Sequence, residues 1–394
     1  MDLPVSICAT GCVCAAGRDT ETCFETMTRG QVTPTFDPPL PLEQEMVSPV
    51  FAVDRAWLDS PQTLLTDTMR ILLTAAREAC AQAGINKGNS GQLRIGTCIG
   101  SSTGASLNFK PFYQQWREGE SPDLGIIRSY LHSNPALCLA EYLGFTGPAQ
   151  TVTNACSSGT DAIGIAASWI RQGLCDAVLA GGADALSSIS YTGFSRLMIT
   201  GPEKCRPFDV NRKGLNLGEG AAVLLLTDEN GLKKLGRKSL GSILGYGTCC
   251  DAHHLTAPHP QGIGLRKAIG EALKRSDLHA NQIGFINTHG TGTDNNDRVE
   301  GQVMRKMFPG TTITGTKGYT GHTLGAAGAI EAVMTVEALR RGLIMPTSGF
   351  RDADQETGII PLAHPLETDA EFALSDSLAF GGNNSALVFR RAEA

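Results

Sequence analysis

The chain has 394 residues, with 33 Lys plus Arg against 39 Asp plus Glu and a net charge of −6. Hydrophobic residues make up 41% and charged residues 18%, enough apolar content to build a core and exclude disorder as the main state. The acidic balance argues against a general polyanion binder, so no nucleic-acid partner is expected. The length exceeds the roughly 250–300 residues at which single cores divide.

The first residues, Met1-Asp2-Leu3-Pro4-Val5-Ser6, have no basic stretch followed by a long apolar one, so no secretory leader is expected. No apolar run reaches the roughly 18 residues of a membrane-spanning helix. The expectation is a cytoplasmic protein without membrane insertion, its 12 cysteines reduced and mostly small buried hydrophobes.

Taken in order, Val5 to Ala16 reads as a strand entering a turn, and Leu65 to Ala83 as a helix closed by Gly84. Arg94 to Gly100 is a strand, Ala149 to Asn154 another, and Ser157 to Gln172 an Ala-rich helix. Ala177 to Ala180 and Ala221 to Thr227 are buried strands. The rhythm then repeats: helix Gly262 to Arg275, strands Gln282 to Thr288 and Thr312 to Gly315, helix Gly325 to Arg341, and a final strand pair, Phe372 to Leu378 and Ser385 to Arg390. The alternation predicts α/β layers around a central sheet. An internal echo joins Thr151–Gly159 to Ile313–His322, each a strand, a tight turn and a helix start. Two halves are expected, residues 1–245 and 246–394.

Cys156, in Asn154-Ala-Cys-Ser-Ser-Gly159, opens a helix, whose free N–H groups and dipole favour a thiolate. A buried structural cysteine is the plainer alternative. His289 sits in a Gly/Thr loop at a strand end, and His322 sits at a helix start five residues after Lys317. Strand ends are where open α/β sheets place their sites. Gly100-Ser-Ser102-Thr-Gly104 fits the G-x-S-x-G elbow of serine hydrolases, which makes Ser102 a rival nucleophile. Gly310–Lys317 misses the P-loop pattern by one residue. Cys249 to His254 has metal-ligand residue types at poor chelate spacing, so no metal is expected.

Together these blocks resemble the β-ketoacyl-acyl-carrier-protein synthases, of the elongating Cys-His-His type I/II. The carriers are Cys156-Ser-Ser-Gly, His289-Gly-Thr-Gly-Thr, Lys317 through His322 to Gly328, Phe380-Gly-Gly-Asn-Asn384, and Arg206-Pro-Phe-Asp209 with Gly218-Glu-Gly-Ala-Ala222. The resemblance implies a thiolase fold, two similar halves in five α-β-α-β-α layers, usually dimeric. It implies that Cys156 takes an acyl group, after which a malonyl thioester decarboxylates and condenses with it. His289 and His322 would supply ring N–H donors, and the N–H groups of Cys156 and Phe380 an oxyanion hole. Lys317, paired with Glu331, would order the site. Thr291 and Thr293 would hold the phosphopantetheine arm of an acyl carrier protein, with no intrinsic cofactor. Phe380, Gly381, Gly382 and Asn384 would form a gate loop, with Asp251 in a second loop beside it. Thr103 and Phe194 are candidates for the acyl pocket.

The sequence departs from the pattern of fatty-acid elongation at Ala379, at Asn383 and at Asp294–Asp297. The expectation is therefore a specialised polyene or polyketide pathway, as a homodimer or as a heterodimer with a chain-length-factor-like subunit. Ordinary fatty-acid elongation is the alternative within the family. A coenzyme A thiolase is disfavoured, because the last cysteine is Cys250. A non-catalytic subunit has no use for the four residues Cys156, His289, Lys317 and His322. Arg55, Lys204 and Arg212 are candidates for carrier docking.

Overall fold

The computed structural model describes residues 2–30, 32–37, 40, 47–58, 66–86, 88, 90–104, 110–131 and 134–393. Its strands are β1 (Val5–Cys14), β2 (Ile95–Gly100), β3 (Ala149–Val152), β4 (Ala177–Asp184), β5 (Gly220–Thr227), β6 (Gly241–Cys250), β7 (Ile283–Thr288), β8 (Thr312–Gly315), β9 (Leu343–Ile344), β10 (Leu366–Glu367), β11 (Phe372–Ala379) and β12 (Asn383–Arg391). Ten of them form one sheet in the order β3-β2-β4-β5-β1-β6-β12-β11-β7-β8, and β9 pairs with β10. Its two halves repeat one topology. β2 lies parallel to β3 and β4, and β5 lies antiparallel to β4 and β1. Likewise β7 lies parallel to β8 and β11, and β12 lies antiparallel to β11 and β6. The halves join through a short antiparallel β1–β6 contact, Val5 opposite Ile243 to Ile7 opposite Gly241. The second round begins at β6, so residue 245 falls inside that strand. The two echo segments become β3 and β8, which occupy equivalent places.

Three apolar clusters give the layers. The helix Asp67–Ala83 covers the outer face of the first half through Met69, Leu72, Ala76 and Ala79. The helices Ile263–Ser276 and Asp294–Met307 cover the second half through Leu265, Ile269 and Met304. Between the halves lie Ser158–Arg171 and Ala327–Arg341, with Ala162, Ile163, Ala329, Ile330 and Val333 in one shared core. These are the five layers that the resemblance implies. The two central helices approach closely: a Cβ on Gly328 would meet Thr160 Oγ1 at 1.9 Å, so the small residues there are a packing requirement.

Element ends differ by a few residues from the sequence reading. The helix read from Leu65 starts at Asp67, Leu65 itself lies outside the described residues, and a helix at Thr20–Arg29 precedes it. Periodicity missed Asp294–Met307, a polar helix whose apolar stripe is only Val299, Val303 and Met304. It also missed the Gly-rich β6. Among the described residues, no helix is long and apolar enough to cross a membrane.

Candidate active site

The sheet delivers the candidate residues at strand C-terminal ends. Cys156 follows β3, His289 follows β7, Lys317 follows β8 and Phe380 follows β11. They meet at a cavity of about 300 Å³ lined by Cys156, His289 and His322, with Thr291, Thr293, Asp251, Phe194, Phe380 and Asn384 around them.

Cys156 stands on a strained turn. Ala155 before it has φ +49, the left-handed region that non-glycine residues avoid. The turn is held by hydroxyls: Ser102 Oγ and Ser158 Oγ donate to the Ala155 carbonyl at 2.8 and 2.6 Å. Asp161, one helical turn beyond Ser157, anchors it to the second half. Its carboxylate accepts from Asn154 Nδ2 and Ser157 Oγ of the turn, from Tyr246 Oη of β6 and from Ser385 Oγ of β12. Burial pushes the Cys156 thiol up to about 11, against the opposing pull of the Lys317 charge and of the Phe380 N–H that reaches its sulfur.

The two histidines are neutral donors. Lys317, 1% exposed, donates to three acceptors: His289 Nδ1 at 3.0 Å, the His289 carbonyl and Glu331 Oε1. An ammonium has three N–H bonds and no acceptor, so His289 Nδ1 is the accepting nitrogen and its proton sits on Nε2. In His322, Nδ1 accepts the Leu324 N–H at 3.2 Å, which again leaves the proton on Nε2. Burial, then the Lys317 charge, pushes both imidazoles well below their ordinary value, and His289 is lowered further by His322. The rings lie edge to face with centroids 5.1 Å apart. Glu300 fixes the His289 loop by accepting the N–H groups of His289 and Gly290 at 2.7 and 2.9 Å. Asp297 does the same for Thr291 and Gly292.

Phe380 stacks on Phe194 at 5.4 Å and 11°, and Phe194 sets its edge towards His322. Gly381 and Gly382 have φ +83 and +79, which a side chain resists. Asp251 N–H donates to the Gly382 carbonyl, and Gly381 N–H to the Leu255 carbonyl, each at 2.7 Å. The Asp251 carboxylate accepts from His259 and Gly264, and Asn384 Nδ2 donates to the Gly382 carbonyl. The 380–384 and 251–259 segments are thus bolted together. Thr291 and Thr293 share a hydroxyl–hydroxyl bond of 2.9 Å beside the cavity.

Other candidates sit away from this cavity or are engaged elsewhere. Thr103 does not line this cavity; its hydroxyl is turned to Asp184 at 2.8 Å. Ser102 is no hydrolase nucleophile, because its hydroxyl donates to a backbone carbonyl rather than to a base. Arg55 is paired with Glu219 and Arg212 with Asp354, while Lys204 donates to the Val32 carbonyl and keeps its charge. Asp161, Asp184, Asp297 and Glu300 escaped the sequence reading. The position of Asp161, on the same helix face as Ser157, was an available signal. Met198, 88% exposed with φ +58 at the cavity rim, had none.

A family model described as Beta-ketoacyl synthase, N-terminal domain, matches residues 2–230, and its C-terminal counterpart matches residues 240–351. Nodulation protein E of Rhizobium meliloti is 31% identical over 99% of this chain and 100% of its own length. A putative polyketide beta-ketoacyl synthase 1 of Streptomyces cyaneus is 33% identical over 81% of each. A 3-oxoacyl-[acyl-carrier-protein] synthase 2 of Staphylococcus aureus is 32% identical over 82% of this chain and 81% of its own. Among solved structures, the ishigamide ketosynthase/chain length factor matches all of both chains with TM-score 0.92 and 27% identity. A ketosynthase solved in complex with its chain length factor, from Xenorhabdus doucetiae, covers 99% of this chain and 98% of its own, with TM-score 0.85 and 31% identity.

Proposed function

The chain belongs to the β-ketoacyl synthase family, whose members are acyl-transferring condensing enzymes, and from that premise we propose how its residues divide the reaction. The carrying observation is that two neutral, buried Nε2–H imidazoles and one buried cysteine line a single cavity.

In the first half-reaction, Cys156 sulfur attacks the thioester carbonyl of an acyl carrier protein. The carbon–sulfur bond to the carrier breaks, and the carrier thiol leaves with the proton that Cys156 gives up. The N–H groups of Cys156 and Phe380 take the charge on the carbonyl oxygen. In the second, a malonyl thioester loses carbon dioxide, and the electron pair of the broken bond becomes an enolate. Its oxygen is held by the Nε2–H groups of His289 and His322. The enolate carbon then attacks the acyl-Cys156 carbonyl, the carbon–sulfur bond breaks, the sulfur leaves as thiolate and takes a proton from water, and the product is a β-ketoacyl thioester two carbons longer. Neutral histidines suit this step, because they donate without delivering a proton that would quench the enolate. Lys317 holds His289 in its tautomer and Glu331 balances the Lys317 charge. Thr291 and Thr293 present hydroxyls to the phosphopantetheine arm, and Phe380 with Phe194 closes the route to the acyl pocket until the loop of Gly381, Gly382 and Asn384 moves with Asp251.

We further propose a cytoplasmic enzyme without an intrinsic cofactor, working with an acyl carrier protein in a polyketide-type or polyene-type pathway. Its dimer partner is a chain-length-factor-like subunit, a reading supported by the partners named in the two solved structures above. Intact-mass spectrometry tests it, with saturated and polyunsaturated acyl carriers, malonyl carrier, and a Cys156→Ala control. An adduct absent from the control, followed by a product two carbons longer, is the expected result. The preferred donor separates the specialised pathway from fatty-acid elongation. No adduct from any donor, with or without a partner subunit, overturns the reading.

A further inference from the structure

We propose that Ser102 is a positioning residue for acyl transfer: its hydroxyl fixes the Ala155–Cys156 peptide whose N–H meets the developing oxyanion. The proposal rests on the acyl-transfer reading above.

The Gly-Ser-Ser-Thr-Gly segment at 100–104 looks in sequence like a nucleophile elbow, but its serine serves another group's elbow. Ser102 Oγ donates to the Ala155 carbonyl at 2.8 Å, and Ser158 Oγ donates to the same oxygen at 2.6 Å. In a planar trans peptide the C=O and the following N–H point in opposite directions. Gripping the oxygen of Ala155 from one side therefore fixes where the Cys156 N–H points on the other. The grip matters here because Ala155 has φ +49, a backbone state that relaxes unless its surroundings hold it. The carbonyl accepts these two hydroxyls and also the Ser158 N–H at 3.2 Å, which polarises its peptide and strengthens the Cys156 N–H as a donor.

Ser102 is in turn referenced to the other oxyanion site. Its backbone N–H donates to Asp184 Oδ2 at 2.8 Å, and the same oxygen accepts Gly325 N–H at 2.7 Å, three residues beyond His322. Asp184 Oδ1 accepts the hydroxyls of Ser101 and Thr103. One carboxylate, fully buried at the end of β4, thereby sets both the loop that steers the Cys156 N–H and the turn that carries His322.

The test uses two reactions of the same sulfur. Attack on a thioester builds an oxyanion, whereas displacement of iodide from iodoacetamide builds none. Ser102→Ala is expected to slow acyl transfer to Cys156 about tenfold at saturating donor, below the roughly 10²–10³-fold loss for deleting a whole oxyanion donor. Alkylation of Cys156 by iodoacetamide should stay within about twofold, as should malonyl decarboxylation, which uses the histidine donors. Ser158→Ala, which removes the second hydroxyl from the same carbonyl, should slow the same step selectively. Equal slowing of acylation and alkylation, or no slowing of acylation, overturns the proposal. A wild-type protein that is alkylated at Cys156 but never acylated would instead sink the underlying function, so the two failures read differently.

Discussion

Lys317 Nζ lies 3.0 Å from His289 Nδ1 and at the same time donates to the His289 carbonyl and to Glu331. A donor-only group so placed decides which ring nitrogen of His289 carries the proton. Lys317→Ala should therefore release His289 to either tautomer and leave Glu331 buried without its partner. Breaking a buried pair costs about 3–5 kcal/mol of stability. Malonyl decarboxylation should fall about 10²-fold, measured as carbon dioxide release from malonyl carrier. Unchanged decarboxylation would remove Lys317 from the site's chemistry.

The lowered imidazoles fix a direction of pH dependence. Burial first, then the Lys317 charge, keeps His289 and His322 neutral in the fold well below the ordinary value. The unfolded chain binds protons at these residues from about pH 6.5 downward, so between the folded and unfolded values the unfolded state holds more. Their contribution to stability then rises with pH through that window and falls below about pH 6.5, while Glu300, pushed up to about 7 by burial and by Asp297, contributes with the opposite sign. Two such groups give up to about 2.7 kcal/mol per pH unit at the steepest. Denaturant titrations of the wild type and of His289→Gln/His322→Gln at pH 7, 6 and 5 should show that the double variant has lost this part of the pH dependence. An identical slope in the double variant would refute the assignment.

Cys156 titrates the other way. Burial holds its thiol up to about 11, despite the Lys317 charge and the Phe380 N–H. In the resting enzyme the sulfur is therefore protonated, and only the thiolate is alkylated. The iodoacetamide rate should climb about tenfold per pH unit from pH 7 to 9. A plateau already present near pH 7 would mean that the helix N-terminus outweighs desolvation. The proton that Cys156 holds at rest is also the one the departing carrier thiol needs, so the first half-reaction is balanced without an added acid.

Much of this was legible in the sequence, for a physical reason. Cys156 and His289 each follow a strand run into a turn, which the fold keeps at strand ends, and His322 lies in a Gly-rich segment ahead of a helix. Their roles came from the resemblance, since spacing alone left each beside a structural alternative. Much of what stayed hidden is non-local. Asp161 meets Tyr246 and Ser385, which lie 85 and 224 positions away, and Asp184 meets Gly325 at a separation of 141. No periodicity carries those pairings. Ser102 fits a hydrolase pattern because a motif reports residue types, whereas function depends on the atom a hydroxyl faces, here the Ala155 carbonyl. For Arg55 and Arg212, likewise, charge in a sequence does not say whether Glu219 or Asp354 has already taken it.

The gate offers a last test. Gly382 has φ +79, and a Cβ there would lie 2.9 Å from Asp251 Cβ. Gly381 also has positive φ, but a Cβ there meets nothing nearer than Asn383 Nδ2 at 3.4 Å. Both alanine variants carry the backbone penalty of about 1–2 kcal/mol, and only Gly382→Ala pushes the two bolted loops apart. If the loops must part and re-form for acyl entry, Gly382→Ala should slow acylation of Cys156 at least about tenfold more than Gly381→Ala. Ala379 has φ −137, ordinary extended backbone, so Ala379→Gly adds freedom without relieving strain and should change acylation by less than about threefold. Single-turnover acylation of the three variants reads the comparison directly. Equal rates for the two glycine variants would show that contact between the loops does not govern entry.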